Sequence, residues 1–214
     1  MDPFDPAVVG AAYDAVADDY AVAFADDLDH LAVDRSILDA AIAGLVGGAP
    51  VLDLGCGPGQ VAAYLIARGV PVVGVDLSPR MLRLAAGRAA AGFVCADLRA
   101  LPVAAGSVSA AVAFYSLQHL PRHELGRALD EVRRVLGVGG TLAVAAHLGV
   151  GEIVTDQLLD HHFEPMGGTF YREDELRAAL TDRSFAVERC ERRAPEPHEH
   201  PSTRLYLIAR VGGR

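Results

Sequence analysis

Three aspartates in the first half of the chain occupy equivalent places. Asp53 lies inside VLDLGCGPGQ (51–60), Asp76 closes VVGVD, and Asp97 follows FVCA. Each stands at or near the end of a short apolar run that reads as a buried strand. Open α/β sheets bind ligands at the carboxyl ends of their parallel strands, so three successive strand ends each offer an acid. Asp53 is two residues before Gly55, where a carboxylate repels a pyrophosphate and favours a cation. Asp76 is placed to accept both hydroxyl protons of a ribose. Asp97 has the acceptors for an exocyclic amine such as that of adenine. The glycines agree with this set. Gly55, Gly57 and Gly59 are spaced GxGxG, and Gln60 stands where the dinucleotide fingerprint GxGxxG needs its third glycine. The implied ligand has a ribose and a base and lacks phosphates.

Strands and helices alternate around these acids. APVLDLG reads as a strand, and GQVAAYLIARG as a helix closed by Gly69. PVVGVDLS is a second strand, after which Ser78 caps a helix beginning at Pro79. Residues 93–96, SVSAAVAFYSL and GGTLAVAAHL supply three more strands. Before the last of them, RHELGRALDEVRRVL is a helix with Leu125, Ala128, Leu129, Val132 and Leu136 on one face. Tyr13, Val16, Tyr20 and Phe24 recur at helical spacing, which gives an N-terminal helix outside the alternation. After about residue 148 the texture changes. GVGEIVTDQLLDHHFEPMGGTFY reads as irregular and fits no strand of the main pattern. REDELRAALTDRS is a helix, and FAVERCERR and RLYLIARV alternate as an antiparallel strand pair at one sheet edge.

Four segments in order, VLDLGCGPG, VVGVDLSPRML, CADLRALP and AFYSLQHLP, resemble the motif set of class I S-adenosylmethionine-dependent methyltransferases. The opening YDAVADDYA is similar to the N-terminal helix of the small-molecule branch, the type 11/25-like domains. The resemblance implies an α/β, Rossmann-like sheet of seven strands, order 3-2-1-4-5-7-6, with the last strand antiparallel, helices on both faces and an N-terminal helical lid. It implies S-adenosylmethionine as cofactor, with Gly55, Cys56 and Gly57 against its methionine part and Asp53 near the ammonium. Asp76 would bind the ribose hydroxyls, with Leu77 and Met81 beside the adenine. Asp97 and Leu98 would contact the adenine, Tyr115 and Ser116 would border the sulfonium, and Tyr13 and Tyr20 would cover the methionyl end. One domain is expected over 1–214: a helical cap (1–47), a cofactor core (48–148), a substrate-covering insertion (149–171) and a C-terminal helix with a strand pair (172–214).

Methyl transfer from a sulfonium needs alignment first, and a base when the acceptor atom carries a proton. His119 in SLQHLP and His147 at the end of the fifth strand are the candidate catalytic residues. His119, His161 and His162 are the candidate acceptor contacts. HHFE and the HEH run at 198–200 have no recognised metal-ligand spacing, so no metal is expected.

Composition narrows the rest. The formal charge of −9 makes nucleic acid a poor partner, and no NPPY target-base motif is present. All 19 basic residues are arginine, which excludes Schiff-base and P-loop lysine chemistry. The three scattered cysteines form neither a disulfide framework nor a metal pair. No basic n-region or long apolar run marks a leader or a membrane span, so a cytoplasmic monomer or homodimer acting on a small-molecule acceptor is expected. A protein that binds the cofactor without catalysis, as a sensor or assembly partner, is the alternative. A nicotinamide oxidoreductase is opposed by the glycine spacing.

Overall fold

A computed structural model describes residues 1–43, 45, 48–196 and 199–213. Seven strands form the main sheet: β1 (Val51–Leu54), β2 (Val72–Asp76), β3 (Gly92–Cys95), β4 (Ala110–Phe114), β5 (Thr141–His147), β8 (Phe185–Arg193) and β9 (Arg204–Val211). Between β5 and β8 lie β6 (Glu152–Leu158) and β7 (His161–Thr169), which pair only with each other. The main order is β3-β2-β1-β4-β5-β9-β8. With the β6–β7 pair set aside, that is the expected 3-2-1-4-5-7-6. The last strand, β9, runs antiparallel to both β5 and β8.

Burial explains why the strands read as apolar on both faces. β1 is buried at every position, and β4 and β5 at all but their last. One face is covered by α3 (Ala32–Ile42) and α4 (Gln60–Ile66), where Ile37, Leu38 and Leu65 meet Val51, Val112 and Tyr206. The other is covered by α6 (Leu125–Leu136) and α7 (Glu173–Thr181), where Leu129, Val132 and Leu176 meet Leu52, Leu142 and Leu207. Each such side chain contributes roughly 1.5–3 kcal/mol on leaving water. α5 (Pro79–Arg88) follows β2, and its first turn is capped by Ser78 Oγ accepting from Met81 N at 3.0 Å.

Residues 149–171 overturn the irregular reading. They hold the β6–β7 hairpin, turned by Leu159 (φ 47°) and Asp160 (φ 61°). Two successive left-handed residues make a type I′ turn, which ordinarily advertises itself through Asn-Gly or Asp-Gly. Leu-Asp carries no such signal, a register shift interrupts the alternation between Thr155 and Gln157, and β7 contains Pro165, Gly167 and Gly168.

α1 (Pro6–Ala23) and the short α2 (Asp27–His30) precede α3. α1 begins at Pro6, with Asp5 Oδ1 accepting from Ala7 N at 2.8 Å. It lies across the carboxyl end of the sheet and packs on α5 and β7. Asp14 Oδ1 accepts from Ser78 Oγ and from Arg80 N, fastening α1 to the start of α5. Gly167 N donates to Pro3 O at 2.7 Å, and Thr169 Oγ1 donates to Leu120 O at 2.7 Å, so the hairpin is tied to both the N-terminal segment and the turn after β4.

Candidate active site

The parallel registers bring the strand ends level. Asp53 pairs with Gly74 and Val112, and Asp76 with Cys95. Beyond β1 the chain turns through Gly55 at φ +70° and Gly57 at φ +50°. A Cβ on Gly55 would stand 2.4 Å from Ser116 Cβ, so the loops after β1 and β4 touch there. A Cβ on Gly57 would meet nothing within 4 Å. The first glycine closes the floor and the second leaves backbone bare to a cavity.

That cavity is lined by Tyr13, Tyr20, Asp53, Gly55, Cys56, Gly57, Asp76, Leu77, Met81, Asp97, Leu98, Tyr115, Ser116 and His119. All thirteen positions expected around the cofactor, and His119, therefore face one space. Asp76 Oδ2 accepts from Gly57 N at 2.8 Å and Oδ1 from Ser78 N at 2.8 Å, which fixes the carboxylate across the mouth of the loop. Each oxygen keeps a further lone pair for an outside donor. Burial raises the Asp76 pKa against those bonds. Asp53 is 2% exposed, and its Oδ2 has no hydrogen-bond partner. Burial, with the neighbouring charge of Asp76, pushes its carboxyl up to about 7. Burial and the same two acids push the Cys56 thiol far up, so the sulfur between the glycines is a thiol and no nucleophile.

Asp97 departs from the simplest expectation. Arg99 Nε donates to both its oxygens at 3.0 and 2.9 Å, and an Arg99 terminal nitrogen donates to Oδ2 at 2.6 Å. The carboxylate is thus held in a guanidinium fork before any ligand arrives. Arg99, Asp27, Asp34, Phe24, Leu28 and Leu31 also line the cavity and carry no motif. Asp34 had a legible signal: it shares a helical face with Ile37, Leu38 and Ala41, so it points inward.

Tyr115, at φ +55°, is one of four non-glycine residues with positive φ among those described. His119 sits on the turn after β4, and Tyr13 Oη is 2.7 Å from its Nε2. Its Nδ1 is shut from solvent with no partner, and burial lowers its pKa to about 4. The imidazole is therefore neutral across the physiological range. The other histidines lie elsewhere. His147 is outside the cavity lining; its Nδ1 is 2.7 Å from Ser202 Oγ, and its ring lies against Tyr115 with centroids 5.1 Å apart. His161 Nε2 is 2.6 Å from Asp19 Oδ2 of α1, and His162 is exposed on β7. No group of three or more metal-type side chains gathers among the described residues. His198 of the HEH run lies outside them.

A doubly wound sheet with a glycine loop and acids at successive strand ends defines a nucleotide-type α/β fold whose ligand site is the carboxyl edge. Residues 51–140 match the family described as methyltransferase domain. Over 117 residues it is 38% identical to malonyl-[acyl-carrier protein] O-methyltransferase of Pseudescherichia vulneris, covering 53% of this chain and 46% of that one. The chain spans about half the length of the curated relatives it matches. Its fold resembles magnesium protoporphyrin IX methyltransferase from Synechocystis PCC 6803, solved with bound SAM, at TM-score 0.74 and 18% identity, covering 98% of both chains. It also resembles 1,6-didemethyltoxoflavin-N1-methyltransferase from Burkholderia thailandensis, solved with 1,6-didemethyltoxoflavin and S-adenosylhomocysteine, at TM-score 0.68 and 23% identity, covering 98% of this chain and 91% of that one.

Proposed function

We propose that the chain is a methyltransferase that carries a methyl group from S-adenosylmethionine to an O, N or S atom of a small molecule. The observation that carries this reading is the partnerless, buried Oδ2 of Asp53 beside the open face of Gly57. A buried acceptor without a donor is costly unless a ligand completes it. An amino-acid ammonium does so, whereas a pyrophosphate at this place is repelled. The remaining lining fits the same ligand. Asp76 offers two oxygens to vicinal hydroxyls, Leu77, Met81 and Leu98 flank a flat base, and Tyr13 and Tyr20 cover the cavity from α1.

The cofactor supplies a methyl group already activated by the sulfonium charge. The chain's residues then bind, orient and exclude water. Ser116 and Tyr115 border the place of transfer, since Gly55 at the methionine end lies directly against Ser116. His119 takes up the acceptor's proton through the Tyr13 hydroxyl: that hydroxyl receives the proton and passes its own to the neutral ring at Nε2, 2.7 Å away. His147 supports Tyr115 through ring contact. The α1 helix, backed by the β6–β7 hairpin, acts as the cover over the cavity, with His161 and His162 on β7, the strand that packs on α1. The charge of −9 disfavours nucleic acid, and among the described residues no helix is long and apolar enough to cross a membrane. A cytoplasmic monomer or homodimer completes this reading.

Calorimetry tests it. S-adenosylhomocysteine is expected to bind with one-to-one stoichiometry and NAD not at all. Binding of NAD with no response to S-adenosylhomocysteine overturns the proposal.

A further inference from the structure

The cavity continues past the space the methyl donor would fill, between α2–α3 and the end of β4. Leu28, Leu31 and Phe114 form an apolar wall there, and Asp34 is set into it. Asp34 is 1% exposed. Its Oδ2 accepts from Tyr115 Oη at 3.4 Å and its Oδ1 from Tyr206 Oη at 3.2 Å, long contacts for a charged acceptor. Arg193, whose charge reaches Asp34, donates to Tyr206 Oη and is gripped by both oxygens of Glu199 at 2.6 and 2.7 Å. That guanidinium is already neutralised. A buried carboxylate with no cation of its own is expensive to keep.

The surroundings sharpen what would complete it. Asp34, Asp53, Asp76 and Asp97 line the cavity, against the single guanidinium of Arg99, which is forked onto Asp97. Independently, Ser116 Oγ, next in sequence to Tyr115 and 8% exposed, faces the same cavity with no hydrogen-bond partner. The space therefore offers spare acceptors, apolar walls and no free positive charge of the protein's own among the described residues.

Resting on the methyl-donor reading above, we propose that this end of the cavity is the acceptor subsite and that Asp34 holds a protonated amine on an otherwise apolar acceptor. The ammonium is a handle; the hydrocarbon body lies on Leu28, Leu31 and Phe114, and Tyr115 steadies the carboxylate. An acceptor whose handle is a carboxylate meets like charge and is rejected.

Three molecules with the same phenylethyl body test this: phenethylamine, 2-phenylethanol and 3-phenylpropionate, titrated into the protein saturated with S-adenosylhomocysteine. The amine is expected to bind at least about tenfold more tightly than either partner, as a buried charge pair requires. Asp34→Asn is expected to abolish that preference while leaving the affinity for S-adenosylhomocysteine within about twofold, and Asp34→Glu to retain the preference. Equal affinities, absence of binding by all three, or a preference that survives in Asp34→Asn overturns the assignment. So does an Asp34→Asn variant that loses S-adenosylhomocysteine, because Asp34 would then hold the donor. The comparison on the unaltered protein stands whatever the variants' stability. Failure of S-adenosylhomocysteine to bind defeats the donor reading alone, and the amine comparison on the ligand-free chain still reads Asp34.

Discussion

Asp53 titrates where it matters. Its carboxyl, pushed to about 7, is mostly protonated at pH 6 and mostly ionised at pH 8. Only the ionised form attracts an ammonium, so S-adenosylhomocysteine should bind about tenfold more weakly at pH 6 than at pH 8. Titration calorimetry at the two values checks this, and Asp53→Asn should flatten the difference. The ligand-free chain responds in the opposite sense. A carboxyl raised from 3.8 to about 7 contributes its stability at low pH and loses it as pH rises through that window. His119 behaves differently. Its pKa of about 4 keeps the imidazole unprotonated, so the methyl-transfer step, read in a single turnover at saturating cofactor, should stay flat from about pH 5.5 to 8. His119→Ala should lower the rate of methyl transfer by about a hundredfold or more, read in a single turnover at saturating cofactor. At this scale the three strand-end acids were legible because an acid closing an apolar run is conspicuous. Arg99 was not, because an i, i+2 pair in a turn follows neither the helical nor the strand period.

The loop between β1 and α4 separates two glycines by what faces them. Gly55→Ala places a methyl against Ser116 in a left-handed conformation. It should lower stability by about 2 kcal/mol or more and abolish cofactor binding. Gly57→Ala pays only the conformational cost, roughly 1–2 kcal/mol, yet its methyl enters the cavity. Cofactor binding should be lost there with a much smaller drop in Tm, and thermal unfolding with and without S-adenosylhomocysteine distinguishes the two. The alternating elements of the main sheet were readable from period and caps: Ser78, Pro79 and the buried face of α6 stand where their residue types put them. The β6–β7 hairpin was not readable, because its turn is Leu-Asp and β7 carries Pro165 and a Gly-Gly pair. Pairing with β6 and packing on α1 override those local preferences.

Across the whole molecule, two apolar layers fix the sheet, while a third, smaller cluster of Val8, Val9, Ala12 and Met166 joins α1 to the hairpin. The roof is thus assembled from opposite ends of the sequence, and sequence order hides that joint. Gly167 is its closest point: a Cβ there would stand 2.6 Å from the Phe4 ring, and Phe4 lines the cavity. Gly167→Ala should displace Phe4, speed limited proteolysis of α1, and weaken S-adenosylhomocysteine binding about tenfold, with the sheet core intact by far-UV circular dichroism. The roof also has a kinetic meaning. Tyr13 belongs to α1 yet bonds His119, so in the proposed reading the helix that covers the donor also orients the base, and spent donor would leave when that bond breaks and α1 lifts. The first catalytic cycle should then outrun every later one, and rapid-quench measurements should record a burst of one methylated product per protein before the slower steady rate.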